Sequence, residues 1–120
     1  MSAIDHPQHY RQLRHEVIEL VSRLRFCEGN VVKYVLRYPY KGAPDEDLGT
    51  AEWYLDYLRR DGAGRIGAGT RALMREFEAD LKRVGRADSA RILKCIRRCQ
   101  WGKARKAVQK LRMRNETLRD

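Results

Sequence analysis

This sequence predicts an all-α fold, a compact bundle of five or six helices that ends in a basic helical pair. Three observations carry that prediction. Apolar residues recur at helical spacing along most of the chain. Glycine, proline and short polar clusters punctuate the pattern at intervals that suit helices rather than short strands. Hydrophobic residues are 42% and charged residues 35% of the 120 positions, a balance that fits a helix-rich chain with a modest core.

The elements follow in order. Residues 1–10 read as an extended or turn segment, because Pro7 disfavours helix at His6. Residues 11–25 form a helix with Leu13, Val17, Leu20, Val21 and Leu24 as its apolar stripe. Glu28-Gly29-Asn30 breaks the pattern, and Asn30 caps a second helix, Val31–Tyr38, that Pro39 ends. Residues 39–44 are a turn. Asp45 caps a third helix to about Arg60, with Leu48, Ala51, Leu55 and Leu58 inward and Trp53, Tyr54 and Tyr57 beside them. DGAGRIGAG, 61–69, reads as a flexible linker, or as an anion-binding nest that leads into the next helix. Its literal GxGxxG follows a helix, not a strand, so the dinucleotide reading is not favoured. Thr70 caps a fourth helix to about Val84, with Leu73, Met74, Phe77 and Leu81 buried. Asp88 or Ser89 opens a fifth, with Ile92, Leu93, Ile96 and Cys99 inward. Trp101-Gly102 makes a tight turn, and Lys103 to about Asn115 forms the sixth. The division expected is 1–60, a linker at 61–69, and a basic region 70–120 packed on or appended to the first.

Charge is unevenly placed. Residues 1–81 carry 12 Lys+Arg and 13 Asp+Glu; residues 82–120 carry 14 and 3, a net of +11. Two surfaces with two partners are expected from that asymmetry. Arg91, Lys94, Arg97 and Arg98, then Lys103, Arg105, Lys106 and Lys110, fit a polyanion, with Trp101 placed to stack on a base. The same features fit a solvated basic face or an acidic protein partner, with Trp101 as a packing anchor.

Lys33, Arg37 and Lys41 are spaced by four and four, along one line of the second helix and its exit. Such a row suits an anion with several charged oxygens, and Tyr34, Trp53 and Tyr54 add rings beside it. It also suits a solvated basic ridge with aromatic core anchors. Glu16, Glu19 and Asp47 are acidic enough to hold a divalent ion, but such side chains are more often solvated. No cysteine–histidine spacing matches a known metal site, so no metal is expected, and Cys27, Cys95 and Cys99 read as free thiols. No apolar run approaches the ~20 residues of a membrane span. The N-terminus lacks a secretory pattern, so a cytoplasmic location is expected.

The motifs HP-x-HY at 6–10, EVIE at 16–19, FC-x-GN-x-x-KY-x-x-R at 26–37, then K-G and ED-L-x-x-A-x-WYL, occur in one order. Together they resemble DUF3310, a family of small phage-encoded proteins, over about residues 6–58. That family includes a nucleotide kinase without a P-loop that phosphorylates deoxynucleoside monophosphates. The resemblance implies a nucleotide or phosphate site at His6, Tyr10, Asn30, Lys33, Tyr34, Arg37, Lys41 and Tyr54, with no catalytic residue assigned. Two departures bear on activity. Tyr38-Pro39-Tyr40 replaces a Gly and a second small residue after the Arg, and Gly49-Thr50 stands where the family usually has Lys. The expectation is a phage-type nucleotide-binding protein in the host cytoplasm, with monophosphate kinase activity as its enzymatic form. A kinase would use ATP and Mg2+, and a non-catalytic binder would need no cofactor. The alternative is a non-catalytic protein that antagonises a host system by binding nucleic acid, a signalling nucleotide or an acidic host protein. No membrane partner is expected, and the exposed rings fit a homo-oligomer.

Overall fold

The computed structural model describes residues 12–40, 42–62 and 64–119, with side chains described as far as Asn115. His6, Tyr10 and Lys41 lie outside the described residues. The helices are α1 (Val17–Val21), α2 (Phe26–Arg37), α3 (Pro44–Asp61), α4 (Ala68–Arg83), α5 (Ala87–Arg97) and α6 (Trp101–Arg119). No strand occurs among the described residues, so the fold is all-α. No described helix is long and apolar enough to cross a membrane.

The first helix is much shorter than the 11–25 expected. Its N-terminal part is drawn away by α4: the Arg14 backbone N–H donates to Asp80 Oδ2 at 2.8 Å, and Arg83 donates to the Gln12 carbonyl at 2.6 Å. Its C-terminal part closes as a tight turn, with Arg23 and Leu24 N–H donating to the carbonyls three residues back. Glu28-Gly29-Asn30 does not break α2 either. Asn30 lies inside the helix and donates to the Phe26 carbonyl at 2.8 Å instead of capping. Gly29 is there for contact: a Cβ would sit 3.3 Å from both the Val21 side chain and the Val21 carbonyl. The glycine that reads as a breaker lets α1 cross α2 closely.

α3 starts at Pro44, which is pre-set for a first helical position, and not at an Asp45 cap. Asp45, Glu46 and Asp47 fill its first turn and Arg59 and Arg60 its last, the signs that its dipole favours. α4 begins before Thr70, with Gly67 as the capping position. It ends in a Schellman turn at Gly85, φ +84, with Arg86 N–H donating to the Leu81 carbonyl at 2.7 Å. The α5–α6 turn has the same hydrogen bonds but puts Cys99 in the left-handed region, φ 55. That turn precedes Trp101-Gly102, which opens α6 rather than forming the connection.

One cluster of buried side chains draws on all six helices, including Leu20, Val35, Leu55, Phe77, Ile96 and Val108. Ile66, from the glycine-rich segment, is 7% exposed and belongs to the same cluster. α2 and α3 run antiparallel, and α6 lies antiparallel along the other side of α3.

Arg86, between α4 and α5, ties that connection to the end of α2. Its guanidinium donates to the carbonyls of Val35 at 2.9 Å and Leu36 at 3.1 Å, and to Ser89 Oγ at 2.9 Å. The two carbonyls belong to the last turn of α2, which has no partner of its own for them. The same guanidinium lies 5.6 Å and 5.4 Å from the ring centroids of Tyr38 and Tyr40.

Candidate functional site

Phe26, Asn30, Lys33 and Arg37 follow one another by three or four residues on α2, with Tyr34 beside them. Tyr34 packs against the core, and two cations approach its ring. Lys33 Nζ is 4.9 Å and Arg37 Cζ 5.3 Å from the ring centroid. Such contacts contribute about 0.5–1 kcal/mol at exposed sites, enough to keep the cations in register.

The two cations differ in what else they do. Arg37 Nε donates to Asp47 Oδ2 at 3.3 Å, and Asp47 is only 4% exposed. A buried carboxylate without that partner would be costly, so Arg37 holds α2 to α3. Lys33 is exposed and has no carboxylate partner among the described residues.

α3 adds a run of rings. Phe26 and Tyr54 meet edge-on at 5.9 Å between centroids, Trp53 and Tyr54 at 5.1 Å, and Trp53 and Tyr57 stack at 6.2 Å. Tyr54 is half-buried, but Phe26 is 74%, Trp53 60% and Tyr57 41% exposed. Burial does not explain so much ring surface left in water. The structure thus brings Lys33, Tyr34, Arg37, Asn30 and Tyr54 onto one α2–α3 face. Trp53, Tyr57 and Phe26 extend it.

The opposite flank of α3 carries acids, and α6 answers them. Arg112 donates to Asp45 at 2.8 Å and to Glu52 at 2.9 Å, and Gln109 donates to Glu52 at 2.7 Å. Arg105 lies 3.6 Å from Asp56 and 3.9 Å from Glu52. Gly49 makes room for this: a Cβ there would be 3.2 Å from the Arg112 guanidinium. The missing side chain at Gly49 leaves a gap that an arginine from α6 fills.

The basic C-terminal set therefore divides. Arg97 is bidentate to Glu78 at 2.8 Å and 3.1 Å, Arg105 faces α3, and Arg114 bonds Asp88. Trp101 is 8% exposed and sits in the core, so its ring is a packing anchor and not a free stacking surface. Arg91, Lys94 and Arg98 form one exposed line on α5 and its C-cap, and Lys103, Lys106 and Lys110 another on α6. The three cysteines are free thiols, and burial raises those of Cys27 and Cys95.

The segment that enters α1 is fastened electrostatically. Arg14 Nε donates to Asp80 at 2.9 Å, and His15 lies 2.7 Å from Glu76 and 3.2 Å from Glu19. Burial alone would raise the Asp80 carboxyl, but the Arg14 N–H and the Arg83 and Arg14 guanidiniums outweigh it and hold it low. The hydrogen bond to Glu76 raises His15 above 6.5. A raised histidine contributes stability that is complete below 6.5 and lost as pH rises through its folded value. Stability by urea titration should fall on going from mildly acidic to mildly alkaline pH. His15→Gln should flatten that window. An unchanged slope in the variant would show that the pair contributes nothing.

The fold and this surface define a small all-helical protein with an aromatic, cation-bearing face and a basic C-terminal third. Residues 4–56 match the family model DUF3310, described as a protein of unknown function. The match spans α1, α2 and most of α3, the helices that build the candidate face. Searches of curated proteins and of solved structures each gave no match. Among the described residues, no three His, Cys, Asp or Glu side chains gather to hold a metal ion.

Proposed function

We propose that this is a small nucleotide-binding protein whose site is the α2–α3 face. One observation carries the reading: Lys33, with no carboxylate partner among the described residues, stands on the same face as the exposed rings of Phe26, Trp53 and Tyr57. A base stacks on the rings, at about 1–3 kcal/mol per base, while Lys33 takes the phosphate. By the family pattern Lys41, His6 and Tyr10 complete the site. A deoxynucleoside monophosphate carries both parts, and monophosphate kinase activity is the enzymatic form of this function. Phosphoryl transfer asks mainly for positioning and positive charge. The cation at the Gly49 gap belongs to Arg112 and is already held by Asp45 and Glu52, which favours binding over catalysis. The described carboxylates do not assemble a magnesium site, so the ion would arrive with the phosphates that it bridges.

Trp53 supplies the test, because Trp101 is buried and serves as an internal reference. Deoxynucleoside monophosphates should quench Trp53 fluorescence. Lys33→Ala should weaken monophosphate binding by roughly tenfold or more while sparing the nucleoside, the signature of a lost charged phosphate contact. Arg37→Ala is the wrong probe, since it strands Asp47. Equal affinity of Lys33→Ala and the parent would end the nucleotide reading. Incubation with ATP and a deoxynucleoside monophosphate then reports whether a diphosphate forms.

The exposed lysine line on α6, without carboxylate partners among the described residues, favours a second reading, a non-catalytic protein that antagonises a host system through nucleic acid or an acidic host protein. A steeply salt-dependent shift with DNA, lost in the triple variant Lys103→Ala, Lys106→Ala, Lys110→Ala, would favour it.

A further inference from the structure

A cavity of about 550 Å³ lies where the glycine-rich segment, the start of α4 and the α5–α6 turn meet. Its lining is Arg65, Ile66, Arg71, Arg75, Arg97, Arg98 and Cys99, so five of seven residues are arginines. Among the described residues, one carboxylate, Glu78, bonds to any of the five. Arg97 is fixed by that bidentate pair, and Arg71 is fixed by donating to the Ile66 carbonyl at 2.6 Å. Arg65, Arg75 and Arg98 are exposed and have no carboxylate partner among the described residues.

From this lining we infer a second binding site, for the phosphate chain of a small polyphosphorylated ligand. Five guanidiniums against one acid repel one another, and a ligand with three or four negative charges relieves that repulsion. The planar fork of arginine matches paired phosphate oxygens. The volume falls in the usual ligand range of about 300–1,000 Å³. No ring lines the cavity, and its non-basic residues are Ile66 and Cys99. Nothing there stacks on or reads a base, so the site takes the phosphates and is indifferent to the nucleoside. The start of α4 borders the cavity and adds the positive end of a 16-residue helix. The site shares no residue with the α2–α3 face and does not depend on that reading.

Calorimetry on the full chain with sodium tripolyphosphate, at about 0.15 M salt, tests it. One site should titrate, and Arg65→Ala and Arg75→Ala should each weaken it by roughly tenfold. Their unfolding midpoints should not move, because neither side chain has a carboxylate partner among the described residues. Lys33→Ala should leave tripolyphosphate affinity unchanged, which separates this site from the α2–α3 face. Tripolyphosphate should also slow alkylation of Cys99, which lines the cavity, read by peptide mass spectrometry against Cys27 and Cys95. Affinity no greater than for sulfate, or affinity insensitive to Arg65→Ala and Arg75→Ala, would overturn the proposal. So would an Arg75-dependent oligonucleotide complex with no tripolyphosphate binding, which would make the surface one for a nucleic-acid backbone.

Discussion

Glu78→Ala is expected to lower the free energy of unfolding by about 3–5 kcal/mol, the cost of removing one partner of a buried ion pair. The side chains of Glu78 and Arg97 are 10% and 13% exposed, and the bond between them is bidentate. Removing the carboxylate strands a desolvated guanidinium next to Arg71, Arg75 and Arg98. It also removes the one acid bonded to that cluster. A domain of this size has only about 5–15 kcal/mol in total, so the variant should be close to unfolding at 37 °C. Urea titration gives the number. Glu78→Gln should retain part of the loss, because an amide oxygen still accepts one of the two bonds. A change under about 1 kcal/mol for Glu78→Ala would mean that water reaches the pair and screens it.

Arg86→Ala should cost about 2–4 kcal/mol, from two charge-assisted bonds and the carbonyls left without partners. The loss should be local before it is global. Amides in the last turn of α2, around Val35 to Tyr38, should exchange faster than those of α4 at equal denaturant. Arg86→Lys should recover little, since a single ammonium does not span the Val35 and Leu36 carbonyls and Ser89 in one plane. Full recovery by lysine would show that charge near the helix end matters and the fork does not.

Helical periodicity carried most of the core. Leu48, Ala51, Leu55 and Leu58 on α3, and Leu73, Met74, Phe77 and Leu81 on α4, are buried as their spacing requires. Boundaries were less legible, because they depend on groups far away in the chain. Asp80 and Glu76 take the residues before Val17 out of α1, and nothing near Arg14 announces it. Gly29 has two meanings in sequence, a breaker or a close approach, and only the position of Val21 decides between them. The α2–α3 face was legible, since Lys33, Tyr34, Arg37 and Tyr54 needed only helix phase and one antiparallel pairing. Asp47 as the partner of Arg37 was not read, although a buried acid in the first turn of α3 was available to find. The arginine cavity was legible only in pieces, the nest reading of 61–69 and the basic pair Arg97 and Arg98, because its members come from three separate stretches. The pair Arg71 and Arg75, one turn apart on α4, was a local signal that went unread.

Arg112 resting against Gly49 has a consequence for how the chain is made. α3 leaves the ribosome well before α6, by a few seconds at about 5–20 residues per second. During that delay Arg112 and Gln109 are not yet there to bond Glu52, and Leu48, Ala51 and Leu55 lack part of their cover. The front segment that carries the family resemblance thus stays exposed to proteases and to sticking partners until α6 has been made and has docked. A message cut short before Trp101 would yield a degradation substrate rather than a smaller working protein.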